Sequence, residues 1–220
     1  MLHAISRVTD QSFCYDQTPY TARLDGHLIT LVRHAESAAN AGLASSDPSL
    51  IPLTDKGVSQ ALAFSQTITE APAIIITSPF SRAMDTGKPT MSKFPNVPVE
   101  QLDIGEFTYL DPASCAGTTA GDRKARVDAF WQSANPDYLD GPGAESFSGF
   151  IHRTAVALER LRALDGNAIV FGHGQVMQAM RWLLRRAPEV IDSEAMRDFR
   201  RYDLANPIRN CESFDLELSR

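Results

Sequence analysis

The chain has 220 residues, 43% of them apolar, with 27 acidic against 21 basic side chains and a formal net charge of −6. A chain of that size buries roughly 70% of the surface its unfolded form exposes, so one soluble domain stands without a disulfide or metal staple. The acidic balance argues against nucleic acid or an anionic membrane as partner, and a phosphorylated substrate would need a local basic pocket.

Residues 1–26 are polar and without pattern, and read as an N-terminal arm ahead of a single domain over 27–220. They lack the apolar core of a signal peptide, and no run approaches the roughly 20 apolar residues of a membrane span. Cys14, Cys115 and Cys211 form neither a CxxC pair nor a metal-ligand spacing, so they read as reduced thiols and the expected location is cytoplasmic. The first apolar run, "LITLV" (28–32), is short and β-branched and predicts a buried strand. "LTDKGVSQALAFSQTI" then predicts a helix from an N-cap at Thr54 to about Thr69. "AIIIT" (73–77) predicts a second strand, followed by "SPFSRAMDT", in which Ser78 is expected to cap a helix and Pro79 to fill its first position.

Residues 107–143 are rich in Gly, Pro, Asp and Thr, with one amphipathic piece, "RKARVDAFWQS". A stretch of that length without sheet elements predicts a lid-like insertion. "ESFSGFIHRTAVALERLRAL" (145–164) predicts a helix with Phe150, Ala157, Leu158 and Leu161 on one face. "AIVF" (168–171) predicts a third buried strand, and "GQVMQAMRWLLRRA" (174–187) a helix ended by Pro188. The alternation in "CESFDLEL" (211–218) predicts a late strand. Strands alternating with helices make the class α/β, with a mostly parallel sheet.

All three apolar runs end in polar clusters: Arg33 and His34, Ser78 with Arg82 beyond, and Gly172, His173 and Gly174. In open α/β sheets ligands bind outside the carboxyl ends of the parallel strands. Two arginines and two histidines meeting there suit a phosphoryl group. Guanidinium forks grip phosphate oxygens, and helix N–H groups expected after His34, Ser78 and His173 would add positive charge. A histidine held neutral between arginines can attack phosphorus through a ring nitrogen. "GHGQVM" is no dinucleotide fingerprint, for it lacks the third glycine. His3, His27 and His152 fall outside these clusters and are assigned no role.

"LVRHAES" with Asn40 beyond it, "LTDKGVSQA", "SPFSRAMDT", "GAES" and "FGHG", in this order, resemble the histidine phosphatase superfamily. The resemblance runs from about Leu28 to Leu218. It implies a phosphoglycerate-mutase-like three-layer sandwich, with helices on both faces of the sheet. It implies His34 as nucleophile, Arg33 and Arg82 as phosphate-binding arginines, and His173 as a hydrogen-bond donor to the phosphoryl group. Asn40 and Glu145 match further positions on the substrate side. The family's usual Gly after the nucleophile is Ala35 here, the smallest possible change. For the general acid, Glu106 in "QLDIGEFTYLDP" is the first choice and Asp103 the second. Among Arg123, Lys124 and Arg126, Arg123 is the candidate to grip a second anionic group from the insertion.

The expected activity is metal-independent and cofactor-free hydrolysis of a small phosphomonoester through a phosphohistidine. Two alternatives are a phosphomutase and a non-catalytic phospho-ligand binding module. The short tail after the last expected strand favours hydrolysis, and the intact nucleophile and arginines favour catalysis.

Overall fold

A computed structural model describes residues 27–216 and 218. The arm expected over residues 1–26 lies outside the described residues. The five described strands form one sheet in the order β3-β2-β4-β1-β5. They are β1 (Ile29–Arg33), β2 (Ile74–Thr77), β3 (Val99–Gln101), β4 (Ala168–Gly172) and β5 (Ser213–Leu216). β1 and β2 both run parallel to β4, and β3 runs parallel to β2; only β5 lies antiparallel, along β1. The sheet is therefore mostly parallel, as the alternation of elements predicts.

β4 is buried along its whole length, which explains why "AIVF" reads as a continuous apolar run. Alternate strand residues face two different cores. Ile29, Leu31, Ile76, Ala168 and Val170 join one cluster, while Val32, Ile75, Ile169 and Phe171 join the other. The second face is covered by Phe64 of α1 (Asp55–Thr67) and Met91 of α2 (Ser81–Lys93). The first, larger core takes side chains from α4 (Lys124–Ser133), α5 (Phe147–Arg162), α6 (Gly174–Arg186) and α7 (Ser193–Ala205). Two helical layers thus enclose the sheet, the three-layer sandwich implied by the resemblance.

Inside the larger core the rings of Phe107 and Phe150 stack at 4.4 Å, and Trp131 packs edge-on to Phe147. Truncating such a ring to alanine costs about 3–5 kcal/mol. Phe107 and Trp131 belong to residues 107–143, which hold the short α3 (Pro112–Cys115) and α4. That segment is thus rooted in the core by its aromatic side chains.

Helix starts follow their caps, with two differences from expectation. Thr54 caps α1 by accepting from the Gly57 N–H, and Ser146 caps α5 by accepting from the Gly149 N–H. Ser78 does not cap α2. Its N–H still bonds the Phe171 carbonyl at 2.9 Å as a continuation of β2, so the helix begins at Ser81 instead. No helix begins directly after His34 either. The chain turns there and bridges Ser37 to Leu53 before α1 starts. Of the three positions expected to bring helix N–H groups to the strand ends, only the one after His173 does so directly, at the start of α6.

Candidate active site

Because β4 lies between β1 and β2, the carboxyl ends of the three strands stand side by side, with Arg33 opposite Gly172 and Thr77 opposite Phe171. Arg33 is the last residue of β1, and His34 follows it with its N–H bonded to the Gly172 carbonyl at 2.9 Å. His173 leaves β4 as the N-cap of α6. Arg82 is the second residue of α2.

His34 is 3% exposed, and its ring is fixed from both sides. Nδ1 lies 2.7 Å from the Ala35 carbonyl, which can only accept, so Nδ1 carries the proton. Nε2 then presents a lone pair, and Arg82 Nε donates to it at 3.2 Å. Burial, followed by the charges of Arg82 and Arg33, pushes the His34 pKa down to about 3. The ring is neutral at any working pH, and its one lone pair, on Nε2, is shared with Arg82. The loop is held by Thr86, whose hydroxyl accepts from the Ala35 N–H at 2.9 Å. It is also held by Asn210, which donates to the His34 carbonyl at 2.9 Å.

Around His34 stand three further charged or titratable groups. Arg82 is 6% exposed, bonds the Pro48 carbonyl at 2.6 Å and lies over the Phe80 ring; burial lowers its pKa to about 10, still fully charged at neutral pH. Arg33 donates through Nη1 to Ile208, while its Nε is buried with no hydrogen-bond partner among the described residues. The His173 ring is wholly buried, 5.2 Å from the His34 ring between centroids. Burial, then the nearby Arg82, holds its pKa well below the ordinary value.

Glu106 approaches from the loop after β3. Its carboxyl accepts from the Phe107 N–H at 3.1 Å and from the Gln175 N–H, in the first turn of α6, at 3.2 Å. Burial raises its pKa, against the opposing pull of Arg82, so the carboxyl keeps its proton above the usual carboxylate range. Asp103, the alternative, is exposed on the same loop. Glu106 and Arg82, but not Asp103, line a cavity of about 290 Å³.

That cavity lies between the loop at residues 45–51 and the segment at 106–127, which meet at the Ser45–Thr118 bridge. Its walls include Ile51, Tyr109, Leu110 and Val127, with Arg123 at the rim of the insertion. Arg123 donates to the Thr118 carbonyl and hydroxyl, both at 2.9 Å. Lys124 and Arg126 instead pair with Asp128 and Asp140, each at 2.5 Å.

Asn40 is exposed, and its Oδ1 accepts from Ser37 Oγ and Asn210 Nδ2, both at 3.1 Å. It thereby ties the loop after His34 to the C-terminal segment. Glu145 forms a two-point ion pair with Arg153, at 2.6 and 2.9 Å, and is not among the residues lining the cavity. The structure therefore gathers Arg33, His34, Arg82, Glu106 and His173, places Arg123 in the cavity lining, and leaves Glu145 to Arg153. Ser78, Thr86, Gln175 and Asn210 were not singled out as site residues by the sequence. Ser78 stood in a quoted motif, but its hydroxyl read as a cap. The other three have no signal short of knowing which strand ends meet.

The sequence pattern of the histidine phosphatase superfamily (branch 1) matches residues 29–204. No curated protein matches the sequence. Among solved structures, the α-ribazole phosphatase of Shigella flexneri is similar, with a TM-score of 0.68 at 20% identity over 88% of this chain and 91% of that one. A mycobacterial glucosyl-3-phosphoglycerate phosphatase gives a TM-score of 0.61 at 17% identity, over 86% and 89%. A phosphoserine phosphatase mutant from Entamoeba histolytica, in complex with phosphoserine, gives 0.64 at 18%, also over 86% and 89%.

Proposed function

The chain belongs to branch 1 of the histidine phosphatase superfamily, and on that premise we propose that it hydrolyses a small phosphomonoester through a phosphohistidine on His34. The observation that carries this reading is the locked ring of His34, its Nδ1 proton committed to Ala35 and its Nε2 lone pair turned toward Arg82.

In the resting protein the Arg82 Nε–H covers that lone pair. An entering phosphoryl group offers the guanidinium charged oxygens, a stronger acceptor than a neutral ring nitrogen, so binding the substrate uncovers the nucleophile. Nε2 attacks phosphorus, the ester P–O bond breaks toward the alcohol oxygen, and the Glu106 carboxyl gives that oxygen its proton. The phosphorylated ring is an imidazolium, whose charge is eased by the Nδ1–H bond to Ala35. Water then attacks phosphorus while the Glu106 carboxylate takes its proton, the N–P bond breaks, and the lone pair returns to Nε2. Arg33 and Arg82 hold the phosphoryl oxygens as charge builds on them. No step calls for a metal.

Hydrolysis is favoured over phosphoryl return because the similar structures are of phosphatases. The cavity, mostly apolar with Arg123 in its lining, suits a compact alcohol carrying a second anionic group, with the 107–143 segment acting as the lid that selects it.

The test is turnover of an aryl phosphate in excess chelator by wild type and His34→Ala, with a rapid quench for acid-labile, base-stable phosphoprotein. Chelator-resistant turnover and labelling, both lost in the variant, are expected. Turnover surviving in His34→Ala overturns the mechanism. Phosphate binding without turnover points to a binding module.

A further inference from the structure

Ser78 reads from the sequence as a helix cap, and the structure frees it from that work. Its side chain is fully buried, and Oγ lies 2.7 Å from His173 Nε2. The same oxygen accepts the Phe80 N–H at 3.2 Å. On the far side of the imidazole, His173 Nδ1 is buried with no partner among the described residues.

These contacts allow two proton arrangements. If Nε2 carried the proton, Ser78 Oγ would accept from both His173 and Phe80. Its own proton would then have no acceptor among the described residues, and Nδ1 would be a buried bare lone pair. If Nδ1 carries the proton, Ser78 donates to Nε2 and accepts from Phe80, so every polar group of the serine is satisfied. The one group left over is then the Nδ1–H. It belongs to a ring packed against His34 and Phe80, beside the guanidinium of Arg82. A donor there suits an incoming oxyanion, whereas a lone pair would repel it.

We propose that Ser78 is a positioning residue that fixes His173 as the Nδ1–H tautomer, so that the second histidine always meets the phosphoryl group as a hydrogen-bond donor. The two histidines then share one tautomer and play opposite parts. His34 spends its N–H on a backbone carbonyl and shows a lone pair, while His173 spends its lone pair on Ser78 and shows an N–H. Tautomer control matters because burial keeps the His173 ring neutral; an imidazolium would donate from both nitrogens and need no such partner. The phosphoryl end of this inference rests on the function proposed above, whereas the tautomer itself does not.

The experiment is long-range ¹H–¹⁵N correlation NMR of histidine-labelled protein without substrate, with the His173 signals assigned by their loss in His173→Gln. Expected is the Nδ1–H pattern in wild type, its retention in Ser78→Thr, and its loss or mixing in Ser78→Ala. In the same set kcat of Ser78→Ala should fall, by up to the roughly 10²–10³-fold that removing one transition-state donor costs, with Ser78→Thr restoring most of it. An Nε2–H pattern in wild type overturns the inference, whatever the activity, and so does an unchanged tautomer in Ser78→Ala. Should Ser78→Ala not fold, Ser78→Gly, which likewise offers no side-chain donor, takes its place on the same criteria. If no variant and no wild type turns over phosphate while the tautomers behave as expected, the functional reading fails and the role of Ser78 stands.

Discussion

Acidification should leave His34 uncharged far below the pH at which an ordinary histidine protonates. Burial is the larger cause and the Arg82 charge the next, and together they take the ring from 6.5 to about 3. That difference corresponds to roughly 4–5 kcal/mol in favour of the neutral ring. The folded value lies below the unfolded one, so His34 takes nothing from stability above about pH 6.5. As the pH falls from there toward 3, the unfolded chain gains a proton that the folded ring refuses, and stability declines across that window. At pH 5 the folded ring is ~99% neutral, where an unperturbed one would be only ~3% neutral, about thirtyfold more nucleophile. The assay is an NMR titration of the His34 ring from pH 7 to the onset of acid unfolding, assigned by its absence in His34→Asn. It is read beside kcat/KM for an aryl phosphate, with the substrate's own ionisation near pH 6 allowed for. A His34 signal titrating near 6.5 in the folded protein would refute both the burial argument and the claim that the ring is held ready in its neutral form.

Replacing Glu106 by glutamine should lower kcat about 10²–10⁴-fold on an alkyl phosphate, whose leaving oxygen must gain a proton, and far less on an aryl phosphate. The same variant should melt higher than wild type at pH 8. The folded carboxyl titrates above its ordinary 4.5, so the native state loses stability as the pH rises through that interval, and the amide does not. Gly57→Ala places a Cβ 2.0 Å from the Glu36 carbonyl oxygen, a backbone collision costing on the order of 3 kcal/mol in denaturant unfolding. Asn210→Ala should cost about 1 kcal/mol and lower kcat several-fold with KM little changed, because it releases the carbonyl of His34.

How much of this was legible beforehand depended on whether a signal was local. β1, β2 and β4 are central strands, and their apolar runs announce them. β3 is three residues long with Val99 and Gln101 exposed, and no run in "NVPVEQ" distinguishes it from a loop. α7 does carry a local signal: Asp192 caps it through the Glu194 and Ala195 N–H groups, and Ala195, Met196 and Phe199 of "DSEAMRDF" share a buried face. Arg33, His34, Arg82 and His173 were found because strand ends in α/β sheets collect function. Glu106 ranks ahead of Asp103 in the sequence alone, and of the two only Glu106 lines the cavity. The cap assigned to Ser78 failed for the converse reason: a serine before a proline looks alike whether its hydroxyl serves a helix or a histidine 95 residues away.

The bonds holding the end of β1 come mainly from the far end of the chain. Arg33 reaches the Ile208 carbonyl and Asn210 reaches the carbonyl of His34. The Arg33 backbone exchanges hydrogen bonds with Cys211 and Glu212 at 3.1 and 3.0 Å. During synthesis, residues 29–34 emerge from the ribosome long before any of these partners exist, so loop closure over more than 170 residues precedes their final placement. A nascent chain can collapse around β4 and its helices before that closure. The loop at His34 then takes its final geometry only once β5 and the segment before it have docked.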